Sequence, residues 1–168
     1  MLPPILWPCS RRCRRWRTSA ACTAWVRAEL EVAGNPENYR AYGVLLRAKK
    51  VLIAAEWVGQ VFCWKFPGGG VLDDETAEQA LLREYQEETG LDIVVGELLH
   101  APGTLLSPWS HANYTPIYYR IEAEGEPLVP PHEPVEISFK DPAEAVASGL
   151  MAEPEQVALK LALGETTR

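Results

Sequence analysis

The sequence predicts a mixed β-sheet flanked by helices, which places the chain in the α/β (α+β) class. Apolar segments of strand length stand on both sides of one central helical segment, and two further helical segments lie near the end. The chain has 168 residues, a length within the usual range of a single domain and sufficient for a sizeable core. It contains no internal repeat.

The first strands are expected before a glycine-rich segment. Residues 40–46 and 51–55 are apolar and flank a basic turn at residues 47–50, so they predict a hairpin. Residues 60–66 predict a third strand. Residues 67–70 read as a turn in which proline is followed by glycines, and glycine allows the backbone to approach a metal ion or a pyrophosphate closely.

A helix is expected to follow this turn. It begins near residues 74–76, where aspartate and threonine are available as caps, and ends at Gly90, which suits the left-handed position after a helix. Three side chains share the face expected to pack on the sheet: Ala77, Leu81 and Tyr85. Ala80 lies next to the opposite face and is small enough to leave room for a ligand.

The remaining elements are shorter. Strands are expected at residues 92–100, 114–122 and 135–140, and helices at residues 141–146 and 154–163. Asp141 is expected to cap the first of these helices, with Pro142 at its first position.

Three carboxylates lie on one face of the central helix. Glu84, Glu87 and Glu88 have the i, i+3 and i+4 spacings that bring side chains together. Because like charges at these spacings repel, a cation is expected over this face, and oxygen ligands suit Mg²⁺ or Mn²⁺. Arg83 stands four residues before Glu87, so it is expected to pair with that carboxylate and to orient it.

These residues form a known pattern. The segment resembles the signature of the Nudix hydrolase family, G-x5-E-x7-R-E-U-x-E-E-x-G-U, where U is a bulky aliphatic residue. Eight positions match in register: Gly69, Glu75, Arg83, Glu84, Glu87, Glu88, Gly90 and Leu91. Tyr85 departs from the pattern, since an aliphatic residue is usual there, and as a packing residue it is expected to alter the core more than the chemistry.

The resemblance implies an α/β/α sandwich and hydrolysis of a nucleoside diphosphate linked to another group. It implies Glu84, Glu87 and Glu88 as catalytic metal ligands, Arg83 as their orienting group, and a backbone carbonyl of Gly69 or a neighbour as a further ligand. The general base stays open between the signature helix and a later glutamate, and the later candidates are Glu122, Glu124, Glu126, Glu133 and Glu136. The alternative is a catalytically silent module that senses nucleotides or binds RNA on the same scaffold.

Substrate choice depends on residues outside the signature. Residues 102–114 are expected to form a loop over the metal face. Trp109, Tyr114 or Trp57 could stack on a base. Core packing is an equal alternative for Tyr114. The loop identifies no particular nucleotide, so the sequence predicts only a small nucleotide-type substrate.

Charge divides the chain into two parts. The net charge is −7, which argues against a stable nucleic-acid partner, yet residues 1–28 contain arginines and no acidic residue. We therefore predict a basic N-terminal extension at residues 1–36 and a domain at residues 37–168. Disorder or a misplaced start codon is expected for the extension, with a targeting segment or an arm that touches RNA or a membrane as alternatives.

The sequence also gives expectations for cellular location, cysteine chemistry and oligomeric state. No stretch of the sequence is apolar enough to span a bilayer, so a cytoplasmic location without membrane partners is expected, or an organelle if the extension is a transit peptide. The cysteines match no zinc-binding spacing and are expected to be ordinary thiols. The sequence leaves a homodimer open.

Overall fold

The computed structural model describes residues 38–165. The predicted extension, residues 1–36, lies outside the described residues, so its boundary with the domain stays a prediction. The elements are β1 (Tyr39–Arg47), β2 (Lys50–Val58), β3 (Val61–Lys65), β4 (Gly68–Gly70), α1 (Ala77–Thr89), β5 (Ile93–His100), β6 (Leu105–Leu106), β7 (Asn113–Ala123), β8 (Glu136–Lys140), α2 (Pro142–Ala147) and α3 (Glu153–Ala162). No helix in this part of the chain combines the length and the apolar character needed to cross a membrane.

The strands form one mixed sheet in which β1 is central. The sheet runs β3-β2-β1-β7-β5, with β4 joined to β1, β6 to β7 and β8 to β2. β1 is antiparallel to β4 near its start and to β2 near its end, and it runs parallel to β7. The start of β1 therefore lies beside the glycine-rich segment.

Helices cover both faces of the sheet. Successive residues of β1 and β7 point to opposite faces, as expected for extended strands. One core cluster joins α1 to Leu45, Leu52 and Ile121, and a second joins α2 and α3 to Val44 and Phe66. This three-layer arrangement confirms the predicted fold class.

Local chemistry accounts for the ends of α1. Thr76 is the N-cap: its Oγ1 accepts from the Gln79 N–H at 3.2 Å, and Gln79 Oε1 accepts from the Thr76 N–H at 2.8 Å. Gly90 has the predicted left-handed conformation, with φ 67°. The predicted core stripe of α1 is buried, but Ala80 is also fully buried in the same cluster, so its predicted place beside a ligand is wrong.

The predicted hairpin of β1 and β2 is confirmed. Its turn consists of Ala48 and Lys49, both left-handed with φ 48° and 62°, and Arg47 pairs with Lys50. Two residues of this conformation match the right-handed twist of the strands that they join.

Two short strands were not predicted. Residues 68–70 form β4 rather than a simple turn, because they pair with residues 40–42 of β1. Gly68, with φ 134°, lies so close to the Ala41 carbonyl oxygen that a Cβ there would overlap it. Residues 105–106 form β6, which pairs with β7 inside the segment expected to be a loop.

Candidate active site

The second half of α1 lies against β4, and this contact positions two of the three predicted metal-binding carboxylates. The Glu84 carboxylate lies directly on the Cα of Gly69, where any Cβ would overlap it. The Gly68 N–H donates to Glu88 Oε2 at 2.9 Å. The glycines of β4 therefore make room for the carboxylates of α1 and supply a hydrogen bond that orients one of them.

Glu88 is a buried carboxylate, with 9% of its surface exposed. Lys65 Nζ lies 3.8 Å from its Oε1. Burial raises the pKa of Glu88 to about 7; Lys65 and the Gly68 N–H act against this rise, while the charges of Glu56 and Glu84 add to it. Glu88 can therefore hold or release a proton near neutral pH in the metal-free protein.

Arg83 connects the carboxylates of the signature to one another. Its Nη2 lies 2.6 Å from Glu75 Oε1 and 2.9 Å from the Gly70 carbonyl oxygen, and its Nε lies 3.2 Å from Glu75 Oε2. Its Nη1 lies 2.8 Å from Glu84 Oε1 and 3.4 Å from Glu87 Oε2. The predicted pair with Glu87 is present, but it is the longest of these ion pairs, and Glu75 is the main partner.

The two-pronged contact between Arg83 and Glu75 has matching electrostatic effects. Hydrogen bonding to Arg83 lowers the pKa of Glu75, and hydrogen bonding to Glu75 is the largest cause that raises the pKa of Arg83. Glu75 also accepts from the Leu72 N–H at 2.9 Å, so its carboxylate links the turn before α1 to Arg83 on the helix.

The donor set fits a hard divalent cation, although its carboxylates do not yet converge. Among residues 38–165, no three acidic, histidine or cysteine side chains lie together in a metal-holding arrangement. Arg83 and Lys65 are the cations that form ion pairs with Glu84, Glu87 and Glu88 in the described part of the chain. Glu87 is half exposed and so can turn towards Glu84 and Glu88, and carboxylate oxygens are the ligands that Mg²⁺ and Mn²⁺ prefer. The carbonyl oxygens on both sides of Gly69 already accept from these cations.

The two predicted substrate-binding residues, Trp109 and Tyr114, lie in the turn between β6 and β7 and at the start of β7. Trp109 is half-buried in the turn between β6 and β7, where its N–H donates to Ser107 Oγ at 3.2 Å. Tyr114 is buried at the start of β7, and burial together with the charge of Glu155 raises its pKa. The alternation of β7 places Tyr114 on the same face of the sheet as Tyr118, the face opposite α1. A substrate contact for either residue stays a prediction.

Among the later glutamates, Glu126 lies 3.7 Å from Arg47 Nη1, and Glu133 lies 3.4 Å from His132 Nε2. Arg47 also donates to the carbonyl oxygens of Ala123 and Gly125, which fixes the end of β7. These contacts assign no general base, so that role stays open.

Sequence reasoning missed three charged residues beside the site. Lys65 in β3 and Glu56 in β2 form an ion pair of 2.6 Å next to Glu88. Arg40 in β1 donates from Nε to the Tyr42 hydroxyl at 2.9 Å, and its pKa is raised mainly by Tyr42. The available signal was the presence of single charges inside otherwise apolar strands.

Comparison with known proteins identifies the family of the chain. A family model described as a NUDIX domain matches residues 37–161, which is most of the chain. An 8-oxo-dGTP diphosphatase from Proteus vulgaris is 61% identical over 36 residues, which are 21% of this chain and 32% of that protein. An RNA pyrophosphohydrolase from Marinomonas sp. is 49% identical over 49 residues, which are 29% of this chain and 30% of that protein. The chain thus spans about a third of the length of these relatives.

Solved structures share the fold at low sequence identity. A NUDIX hydrolase from Nitrosomonas europaea has a TM-score of 0.65 and 17% identity, covering 77% of this chain and 90% of that chain. The E. coli ORF135 protein has a TM-score of 0.61 and 23% identity, covering 75% of this chain and 88% of that chain. With the family model matched along most of its length, the chain belongs to the Nudix hydrolase family.

Proposed function

We propose that this chain hydrolyses the phosphoanhydride of a nucleoside diphosphate linked to another group, with Mg²⁺ or Mn²⁺ as cofactor. The observation that carries the proposal is the position of Glu84 and Glu88 on the glycines of β4, with Arg83 held between Glu75 and Glu84. Relatives that match part of the chain are named as an 8-oxo-dGTP diphosphatase, RNA pyrophosphohydrolases and a CTP pyrophosphohydrolase. Their common element is a nucleotide phosphoanhydride, which supports this substrate class.

Each residue of the site has a proposed role. Glu84, Glu87 and Glu88 hold the ion, and a carbonyl at or beside Gly69 can complete its ligands. The chemistry supplied by a bound divalent ion is acidification of the attacking water and neutralisation of charge on the leaving phosphate. Arg83 keeps the carboxylates in place. Trp109 and Tyr114 remain the candidates for contact with the base.

The test is turnover with Mg²⁺ or Mn²⁺ across a panel of nucleotides. The panel contains 8-oxo-dGTP, CTP, RNA with a 5′-triphosphate, ADP-ribose, NADH, dinucleoside polyphosphates and nucleotide sugars. We expect Glu87→Gln and Glu88→Gln each to lower kcat/KM by roughly 100-fold or more, because each variant removes a carboxylate that holds the metal ion. This factor corresponds to a loss of about 3 kcal/mol of transition-state stabilisation. Glu144→Gln, an exposed carboxylate on α2, is the matched control and should retain full turnover.

Two results would contradict the proposal. If no member of the panel is hydrolysed, the catalytically silent module becomes the better account. If a substrate turns over and both glutamine variants match the wild type, the metal ligands have been assigned to the wrong residues.

A further inference from the structure

Lys65 is a buried lysine in the strand that leads to the glycine-rich segment. Only 5% of its surface is exposed, and its ammonium lies 2.6 Å from Glu56 Oε1 and 3.5 Å from the Gly68 carbonyl oxygen. A buried ammonium is costly unless it is paired and hydrogen-bonded. Glu56 is therefore its anchor, since this is the shortest of its contacts.

The same ammonium faces Glu88 from a longer distance. Lys65 Nζ lies 3.8 Å from Glu88 Oε1, which is beyond the range of a hydrogen bond, while Glu88 Oε2 accepts from the Gly68 N–H at 2.9 Å. The lysine thus attracts Oε1 electrostatically without occupying its lone pairs. Oε1 is oriented but remains available to another cation.

We propose that Lys65, anchored by Glu56, is a positioning residue that fixes the direction of the Glu88 carboxylate for metal binding. The inference rests on the proposed function, because it takes Glu88 to be a metal ligand. Glu56 holds the ammonium back from Glu88, and the ammonium offsets the repulsion between the neighbouring carboxylates. β2 and β3 thereby set the geometry of a ligand that α1 carries.

A purely structural role for the ion pair predicts a different outcome. If Lys65 and Glu56 only stabilise the fold, removing one charge should lower both stability and Mn²⁺ affinity, and removing both charges together should restore both. The reason is that a neutral pair leaves no unpaired buried charge. If Lys65 positions Glu88, the double variant should recover stability but not metal affinity. Stability and Mn²⁺ affinity are therefore read out separately.

The experiment uses the full chain and Mn²⁺ alone. Thermal unfolding and Mn²⁺ binding, followed by electron paramagnetic resonance of the free ion, are measured for Lys65→Met, Glu56→Gln/Lys65→Met and Glu56→Gln. We expect the double variant to unfold close to the wild-type temperature while binding Mn²⁺ about 10–100-fold more weakly, the usual effect of removing a group that orients a ligand. Lys50→Met, an exposed lysine on β2, should bind Mn²⁺ as the wild type does.

Glu56→Gln provides a second test that keeps the shape of the side chain. Without its anchor, Lys65 is expected to close on Glu88 and compete with Mn²⁺, so affinity should again fall about tenfold or more. Wild-type Mn²⁺ affinity in the double variant or in Glu56→Gln overturns the inference. Glu88→Gln distinguishes failure of the proposed function from failure of the inference about Lys65. If Glu88→Gln also binds Mn²⁺ normally, Glu88 is not a metal ligand, and both the proposed metal assignment and the inference are wrong.

Discussion

Tyr85 occupies a position of the signature helix where the family usually carries an aliphatic residue. Its larger ring fits because residue 43 in β1 is a glycine. The Tyr85 ring is fully buried, and its hydroxyl donates to the Gly43 carbonyl oxygen at 2.6 Å. Burial raises the pKa of this hydroxyl well above its usual value, so it acts as a neutral donor. A Cβ on Gly43 would lie 2.7 Å from Tyr85 Cε2, so glycine in β1 is what leaves room for the aromatic ring.

This pairing predicts a strong coupling between the two positions. Gly43→Ala should lower the free energy of unfolding by about 1–3 kcal/mol, the usual cost of overpacking a core. In a Tyr85→Leu background the same change should cost less, because the aromatic ring that it meets has been removed. Urea unfolding of the four proteins in this double-mutant cycle measures the coupling. An equal cost of Gly43→Ala in both backgrounds would show that the ring is not the obstacle.

At the scale of elements, α3 contributes a buried carboxylate to the sheet. Glu155 is 1% exposed; its Oε1 accepts from the Tyr118 hydroxyl at 3.0 Å, and its Oε2 has no hydrogen-bond partner among the described residues. Burial raises its pKa from 4.5 to about 6, partly offset by the Tyr118 hydrogen bond. Folding therefore favours the protonated form of this carboxyl.

The stability contributed by Glu155 should depend on pH with a defined sign. Because the pKa of Glu155 is higher in the folded state than in the unfolded state, the protein is most stable with respect to this group below about pH 4.5, where the carboxyl is protonated in both states. This contribution to the free energy of unfolding is lost as the pH rises through about 6. The shift corresponds to about 2 kcal/mol. Glu155→Gln cannot ionise, so its stability relative to the wild type should rise by about this amount between pH 4.5 and pH 7.5.

Urea unfolding at the two pH values measures this difference. Glu144→Gln, an exposed carboxylate on α2 that does not contribute to the pKa shift of Glu155, is the control and should follow the wild type at both. If the free energy of unfolding changes by the same amount in Glu155→Gln and in the wild type between about pH 4.5 and about pH 7.5, the pKa of Glu155 is not raised by burial.

Most elements could be predicted because their signals are local. Thr76 and Gly90 mark the ends of α1 through their own chemistry, and the long strands carry enough apolar residues to be recognised. β4 could not be predicted, because consecutive glycines indicate a turn and their pairing with β1 is a contact between distant parts of the sequence. β6 has two residues, which is too short for any periodicity to show.

The site was predictable to the extent that it lies on one helix. The spacing of Glu84, Glu87 and Glu88 follows from helix geometry, but the main partner of Arg83 does not. Glu75 lies eight residues before Arg83, just ahead of the N-cap Thr76, so their contact depends on the turn at residues 72–75 and not on helical spacing alone. Lys65 was missed for a related reason, since its burial beside Glu88 depends on how β3 and α1 pack.

At the scale of the whole molecule, the core clusters of the described residues fall almost entirely within the part of the chain that the family model matches. Both core clusters are built from residues between Ala41 and Ala162, and the family model begins at residue 37. The net charge is −7 even though residues 1–28 contain arginines and no acidic residue, so the remainder is still more acidic. An acidic domain with a carboxylate site gains from a metal ion when it binds a polyphosphate, because the ion neutralises the phosphate charges.

Shortening the chain tests whether the domain is complete from its predicted boundary. A chain of residues 35–168 retains β1 and every residue of both core clusters, so we expect its Tm to stay within about 2 °C of the full chain, where 1 kcal/mol corresponds to about 2–4 °C. Its Mn²⁺ affinity should also be unchanged, since Glu84, Glu87 and Glu88 are supported by β3 and β4. Thermal unfolding and Mn²⁺ titration of the two chains measure both expectations. A fall in Tm of many degrees would mean that residues before 35 form part of the folded core, whereas weaker Mn²⁺ binding at an unchanged Tm would mean that they contribute to the site.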